Sequence, residues 1–330
     1  MLNWQIEQLK LELKYTWKIS RNASTYKLNS LISVGKGKWK GLGEVAPNIR
    51  YNETPEIIIS EFERFKKSGP EKVHDIHELT TLLNQLKLPN ALRFGIESAY
   101  IHLLCHADTT DIYTFLGIQK PQRVQTSFSL PIMDVSEISI FYHENNLQRF
   151  SKLKIKVNAE TANDLLHEID SITKQPLIVD GNETWKNPDE VLTFMQMLKP
   201  YNIAIIEQPM PSSMIDEYVY LKPKSPYLLI ADESICADAD FEKLKLQFHG
   251  INMKLMKAGG YLNGINILNE AVKHQMHTMI GCMVETSLGI ASAFHLCAGI
   301  EYADLDGYLI VKDEPFGLVR EENGELRIES

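Results

Sequence analysis

Three acidic residues in this 330-residue chain each stand directly after an apolar run: Leu177-Ile178-Val179-Asp180, Ile205-Ile206-Glu207 and Leu229-Ile230-Ala231-Asp232. At the ends of successive strands these carboxylates would converge, and their charges would repel unless a cation neutralised them. A single strand-end acid commonly caps the next helix instead, but three in a row point to metal. All-oxygen ligands without His or Cys suit Mg²⁺ rather than zinc, with positions left for water or substrate oxygens.

Lysines make a second set. In Lys152-Leu153-Lys154-Ile155-Lys156-Val157 the strand period of two puts the three lysines on one face and Leu153 and Ile155 on the other. On a free surface strand the lysines would point outward. Inside a barrel wrapped in helices they must point inward, where crowding and partial burial would lower their pKa values. Asn252-Met253-Lys254-Leu255-Met256-Lys257 offers a partner on a later strand. Lys254 is expected within that strand, and Lys257 in the loop beyond it. A metal that grips a substrate carboxylate, with a lysine on each face of the α-carbon, supports removal of the α-proton and its return to the opposite face.

The elements that must hold these residues show two textures. From Leu2 to about Thr110, Leu11–Trp17, Tyr26–Val34 and Trp39–Val45 read as an antiparallel sheet, and Ile57–Phe62 and Leu92–His106 as helices. That is an α+β domain, expected over residues 1–120. From Val124, strands are expected at Gln125–Ile132, Leu153–Val157, Leu177–Asp180, Ala204–Glu207, Leu228–Asp232, Ile251–Lys254, Thr278–Gly281 and Ala303–Asp306, starting 23 to 28 residues apart. Helical stretches lie between most of them. Such repeats predict an α/β fold, a modified TIM barrel of (β/α)7β type over residues 121–310, with the tail from about 310 to 330 returning to the first domain.

Composition narrows the function further. A net charge of −9 and the lack of a basic stripe argue against nucleic acid. No apolar run approaches the roughly 20 residues that span a bilayer, and Met1–Glu7 carries no signal-peptide pattern, so a cytoplasmic address and a small-molecule substrate are expected. Cys105, Cys236, Cys282 and Cys297 are far apart, as free thiols would be. A homo-oligomer is left open.

Lys154-x-Lys156, Asp180-x-Asn182, Glu207-Gln208-Pro209, Asp232-Glu233-Ser234 and Asn252-x-Lys254, in that order and spacing, resemble the muconate-lactonizing subgroup of the enolase superfamily. Gly41-Leu42-Gly43-Glu44-Val45-Ala46-Pro47 resembles its N-terminal signature, and the likeness covers nearly the whole chain. The resemblance implies Asp180, Glu207 and Asp232 as Mg²⁺ ligands, Lys156 and Lys254 as the acid/base pair, and Lys154 as the neighbour that tunes Lys156. Asn182 and Asn252 would stand behind them. Within the subgroup, dipeptide epimerases carry an Asp-x-Asp, here Asp304-Leu305-Asp306, which suits a dipeptide's ammonium. Arg21 resembles the arginine that meets an acidic side chain in Ala-Glu epimerases, and Cys282 and Met283 resemble a pocket-lining segment. A dipeptide epimerase acting on L-Ala-D/L-Glu is therefore expected. Epimerases of hydrophobic dipeptides, o-succinylbenzoate synthases and N-acylamino acid racemases use the same lysines.

Overall fold

Alternation of apolar and polar residues in the first 45 positions builds a three-stranded antiparallel sheet, β1 (Asn3–Ile19), β2 (Asn22–Lys36) and β3 (Trp39–Val45). The coordinates are a computed structural model and describe residues 1–19, 22–158 and 162–329. Helices α1 (Pro55–Lys66), α2 (Ile76–Leu86), α3 (Asn90–Asp108) and α4 (Ile112–Leu116) follow. Helix α3 lies across β3. A Cβ on Gly41 would meet the Ala99 carbonyl at 2.0 Å, and one on Gly43 the Gly95 carbonyl at 2.1 Å, so only glycine allows this approach.

The remaining chain forms an eight-stranded parallel barrel. Its strands are β5 (Phe128–Leu130), which follows the two-residue β4 (Val124–Gln125), then β6 (Leu153–Lys156), β7 (Leu177–Asp180), β8 (Ile203–Glu207), β9 (Leu228–Ala231), β10 (Gly250–Met253), β11 (His277–Gly281) and β12 (Tyr302–Asp304). They pair in sequence order, and a parallel bridge between Thr126 and Ala303 closes the ring. Between them run α5 (Ile138–Glu144), α6 (Ala162–Ile172), α7 (Pro188–Met197), α8 (Ile215–Leu221), α9 (Phe241–Gln247), the short α10 (Leu255–Ala258), α11 (Tyr261–Lys273) and α12 (Ser287–Phe294). Among the described residues no helix follows β12, which gives the expected (β/α)7β architecture.

Each strand is buried on both faces, so the two faces differ in what they meet rather than in polarity alone. Leu153 and Ile155 join the large core under the helices, whereas Ile178, Ile205, Ile230 and Met279 fill the barrel interior. Lys154 lies level with Ile178 in the strand register, so it points inward. After β12, Ile310 and Val311 pack on Leu11 and Leu13 of β1, and the Lys14 amide donates to the Ile310 carbonyl at 2.9 Å. The tail ends as a hairpin, β13 (Val319–Glu322) and β14 (Glu325–Ile328), paired to β4. No helix among the described residues is long and apolar enough to cross a membrane.

Buried carboxylates fasten the N-terminal domain to the barrel. Glu44 accepts hydrogen bonds from the Thr286 amide at 3.0 Å and the Gly289 amide at 3.2 Å, at the start of α12, and from Asn29 Nδ2 at 2.8 Å. Glu97 accepts from the Leu262 amide in the first turn of α11 at 3.1 Å. Both satisfy helix N–H groups that have no partner within the helix. Arg50 adds a bidentate pair to Glu183, at 3.0 and 2.8 Å.

Burial raises the Glu97 carboxyl from 4.5 to about 7 against the hydrogen bonds that favour its charge. The folded chain then holds this proton more tightly than the unfolded one, so stability is lost as pH rises from 4.5 through 7. Glu97→Gln keeps an acceptor without the charge. It should match wild type near pH 4.5 and exceed it at pH 8 by up to ~3 kcal/mol, read from urea unfolding at both pH values.

Candidate active site

Strand register brings the chemistry to one level. Lys156 pairs with Asp180 and Asp180 with Glu207 across β6, β7 and β8. Asp232 follows the last residue of β9, and Lys254 follows the last residue of β10. All lie at the C-terminal ends of the strands, where barrel loops carry function.

Lys154 is the electrostatic centre. Its ammonium stands 3.0 Å from Glu207 Oε1, 3.0 Å from Asp304 Oδ2 and 3.3 Å from Asp180 Oδ2, almost fully buried. Lys156 Nζ donates to Asp180 Oδ2 at 2.9 Å and to Asn182 Oδ1 at 3.0 Å. Lys254 Nζ donates to Asp232 Oδ2 at 2.8 Å. Asn182 Nδ2 returns a hydrogen bond to Asp180 Oδ1 at 2.8 Å, and Asn252 Nδ2 donates to Glu207 Oε1 at 2.9 Å. A Cβ on Gly281 would stand 2.6 Å from Asn252 Oδ1 and 3.0 Å from Lys254 Cε, so glycine there leaves Lys254 its room.

Several expectations change on contact with the structure. Lys254 is not within its strand but caps α10, one residue beyond β10. Lys257 is no loop residue: it lies in α10, buried, and donates to the Asp232 carboxylate and to its main-chain carbonyl. Crowded lysines were expected to lower one another's pKa. Burial does oppose charge on Lys154, but Asp304, Glu207, Asp180 and Asp232 outweigh it and hold that ammonium well above the usual lysine range. Lys254 is raised likewise, with Asp232 overcoming the burial. Carboxylate proximity wins because each ammonium rests directly on an acid.

The carboxylates respond in turn. Asp180 falls to about 2, where Lys156 and Lys154 prevail over burial, and Asp304 is also lowered. Burial and Asp304 push Asp306 up to about 7, and burial with Asp232 pushes Glu233 up to about 8. Asp304 is held by Ser127 Oγ at 2.7 Å and Asp306 by the Ser129 amide. Cys282 Sγ contacts the Asp304 carbonyl at 3.3 Å, and Met283 lies 3.6 Å from Asn48 of the N-terminal domain through its sulfur. Arg21 lies outside the described residues.

Sequence reasoning missed Gln208. It holds a left-handed backbone, φ +34°, uncommon for a side chain of this kind. Its amide spans the next loop: Oε1 accepts from the Asp232 and Ser234 amides at 2.9 and 3.1 Å, and Nε2 donates to Ser234 Oγ at 2.7 Å. Gln208 thus aims Asp232. It also missed Ser127 and Ser129, whose spacing of two on the first strand was the available signal.

Asp180, Glu207 and Asp232 offer only oxygen. Among the described residues no three metal-ligating side chains already enclose one point; Lys154 Nζ stands between Asp180 and Glu207, at 3.3 and 2.9 Å. Two features fit a hard divalent cation. Glu207 Oε2 is buried and outside hydrogen-bond geometry, though 2.9 Å from Lys154 Nζ. The six carboxyl groups of the cluster also outnumber its four lysines by two, so not all of them find an ammonium partner.

A parallel barrel with acids and lysines at its strand ends, capped by an α+β domain, is an enolase-type enzyme. The enolase C-terminal domain-like family model matches residues 143–325, and the chain belongs to the enolase superfamily, as a racemase or epimerase. It is 32% identical over 335 residues to the L-Ala-D/L-amino acid epimerase of Pedosphaera parvula, covering 97% of this chain and 94% of that protein. Similarity to the L-Ala-D/L-Glu epimerase of Bacteroides thetaiotaomicron is 27% over 323 residues, covering 97% and 83%. Among solved structures, an enolase family member from Agrobacterium tumefaciens with homology to dipeptide epimerases, holding sodium and L-Ala-L-Glu, superposes with a TM-score of 0.88. It shares 26% identity and covers 100% of this chain and 98% of that one.

Lys154→Met would leave Asp180, Glu207 and Asp304 facing one another without their shared cation. Urea unfolding should show a loss of about 3–5 kcal/mol. A loss under ~1 kcal/mol would mean that the ammonium is not the charge centre described.

Proposed function

We propose that this enzyme epimerises the α-carbon of the C-terminal residue of a dipeptide, with L-Ala-D/L-Glu as the leading substrate, by proton transfer between Lys156 and Lys254. The observation that carries the reading is the position of the two lysines. They follow from β6 and β10, which are separated by three strands either way around the ring, and each rests on a carboxylate of one acidic cluster. The epimerases to which the chain is similar supply the substrate class.

Asp180, Glu207 and Asp232 would hold Mg²⁺, which when bound supplies positive charge for the substrate carboxylate and for the enolate oxygens that develop from it. The chain's own groups do the rest. Lys156 takes the α-proton from one face, and Lys254 delivers a proton to the opposite face. With the opposite antipode the two lysines exchange roles. Lys154, beside Lys156 on the same strand, keeps a fixed positive charge in the site. Asn182 orients both Asp180 and Lys156, and Asn252 orients Glu207. Asp306 receives the dipeptide's ammonium, and Asp304, already bound by Lys154 and Ser127, sets the orientation of that end.

The test is α-proton exchange of L-Ala-L-Glu in D₂O with Mg²⁺, followed by NMR. Wild type should incorporate deuterium and invert the glutamate centre, and EDTA should stop both. Lys156→Ala and Lys254→Ala should each lower epimerisation by at least ~10³-fold, since each removes the acid or base on one face. Epimerisation that survives either change within tenfold would refute the two-lysine mechanism.

A further inference from the structure

Each carboxylate that carries one of the proposed acid/base lysines also carries a second ammonium. Asp180 Oδ2 meets Lys156 Nζ at 2.9 Å and Lys154 Nζ at 3.3 Å. Asp232 accepts from Lys254 through Oδ2 at 2.8 Å and from Lys257 through Oδ1. The two members of each pair differ in the same way. The side chains of Lys156 and Lys254 are 13% and 11% exposed, against 3% for Lys154 and 2% for Lys257. One lysine of each pair keeps access to the mouth, and the other is sealed.

Proton transfer between Lys156 and Lys254 makes no use of Lys257. It stands three residues on from Lys254, one turn along α10, so both side chains share a face. An ammonium has three hydrogens. Those of Lys257 have three acceptors: Asp232 Oδ1, the Asp232 carbonyl and, at 3.5 Å, the Asn252 carbonyl. Two of these belong to one residue, so Lys257 grips Asp232 by side chain and main chain together. Among the described residues Lys254 Nζ donates to Asp232 Oδ2 alone. Lys257 is the fixed partner of Asp232, and Lys254 is the one that can let go.

To serve the α-carbon, Lys254 has to release Asp232. Had Asp232 no other ammonium, that release would strand a buried charge, and the lysine would be held back. We infer that Lys257 is a positioning residue for the Lys254 face of the reaction: by holding Asp232 through Oδ1 and the main chain, it frees Lys254 to leave Oδ2 for the substrate. It is the counterpart of Lys154, which stands behind Lys156 on Asp180 and also holds Glu207 and Asp304. The inference rests on the two-lysine reading and deepens it.

Lys257→Met keeps the length of the side chain and removes its charge. α-Proton exchange of L-Ala-L-Glu and of L-Ala-D-Glu is followed separately in D₂O at saturating Mg²⁺. Lys254→Ala identifies the antipode that Lys254 deprotonates, as the one whose exchange it abolishes. Lys257→Met should slow exchange of that antipode at least ~10-fold more than exchange of the other. Titration calorimetry of the substrate-free variant should give an Mg²⁺ affinity within about tenfold of wild type, since Asp232 keeps its charge and Oδ2. Equal slowing of both antipodes, or loss of Mg²⁺ binding, would show that Lys257 only props the site and would overturn the inference, as would exchange unchanged for both. Lys257→Gln, which keeps donors and drops only the charge, carries the same comparison if Lys257→Met does not fold. Failure of both to fold marks a structural lysine and also overturns it. If Lys254→Ala is selective for one antipode but Lys257→Met is not, the inference fails and the two-lysine reading stands. If wild type exchanges neither antipode, both fall together.

Discussion

The mouth of this barrel is governed by an imbalance of buried charge. Six carboxylates at the strand ends face four lysines, in surroundings where an unpaired charge is costly. The lysines are shared among the acids they touch, so Asp180, Asp232 and Asp304 are held as anions. The deficit appears at Asp306 and Glu233, which rise to about 7 and 8. A site built in this way has a standing affinity for added positive charge. In the proposed function a divalent cation answers that need at one end and a substrate ammonium at the other.

The N-terminal domain is held to the barrel where this matters. Glu44 and Glu97 supply acceptors to the starts of α12 and α11, the helices that follow β11 and β10. Arg50 reaches Glu183 in the loop after β7. The domain is therefore tied on both sides of the mouth, near Lys254 and near Asp180. Charge-assisted hydrogen bonds are directional, so they fix orientation as well as proximity.

Gln208 shows how local strain serves the same end. The turn after β8 forces it to positive φ, and its side chain offsets that cost by bonding Asp232, Ser234 and Tyr218. The Asn182 and Glu183 turn after β7 is left-handed as well. Successive loops thus leave the strands sharply and keep Asp180, Glu207 and Asp232 close to the strand ends.

Much of this was legible in the residues alone. Eight apolar runs at barrel spacing, the acids ending three of them and the lysine alternation of 152–156 follow from local rules: side-chain period, burial on both faces and turn chemistry. Two of the short helices, α5 and α8, were not expected from the sequence, whereas the equally short α9 was, over 238–246. Helix α2 was also missed, although Asp75 and Glu78 mark its start. The sequence by itself determined which residue types stand at each strand end. Tertiary structure alone decided that Lys154 joins Asp180, Glu207 and Asp304, and that Lys257 turns back onto Asp232, because Coulomb and hydrogen-bond energies depend on separation through space, which no spacing along the chain encodes.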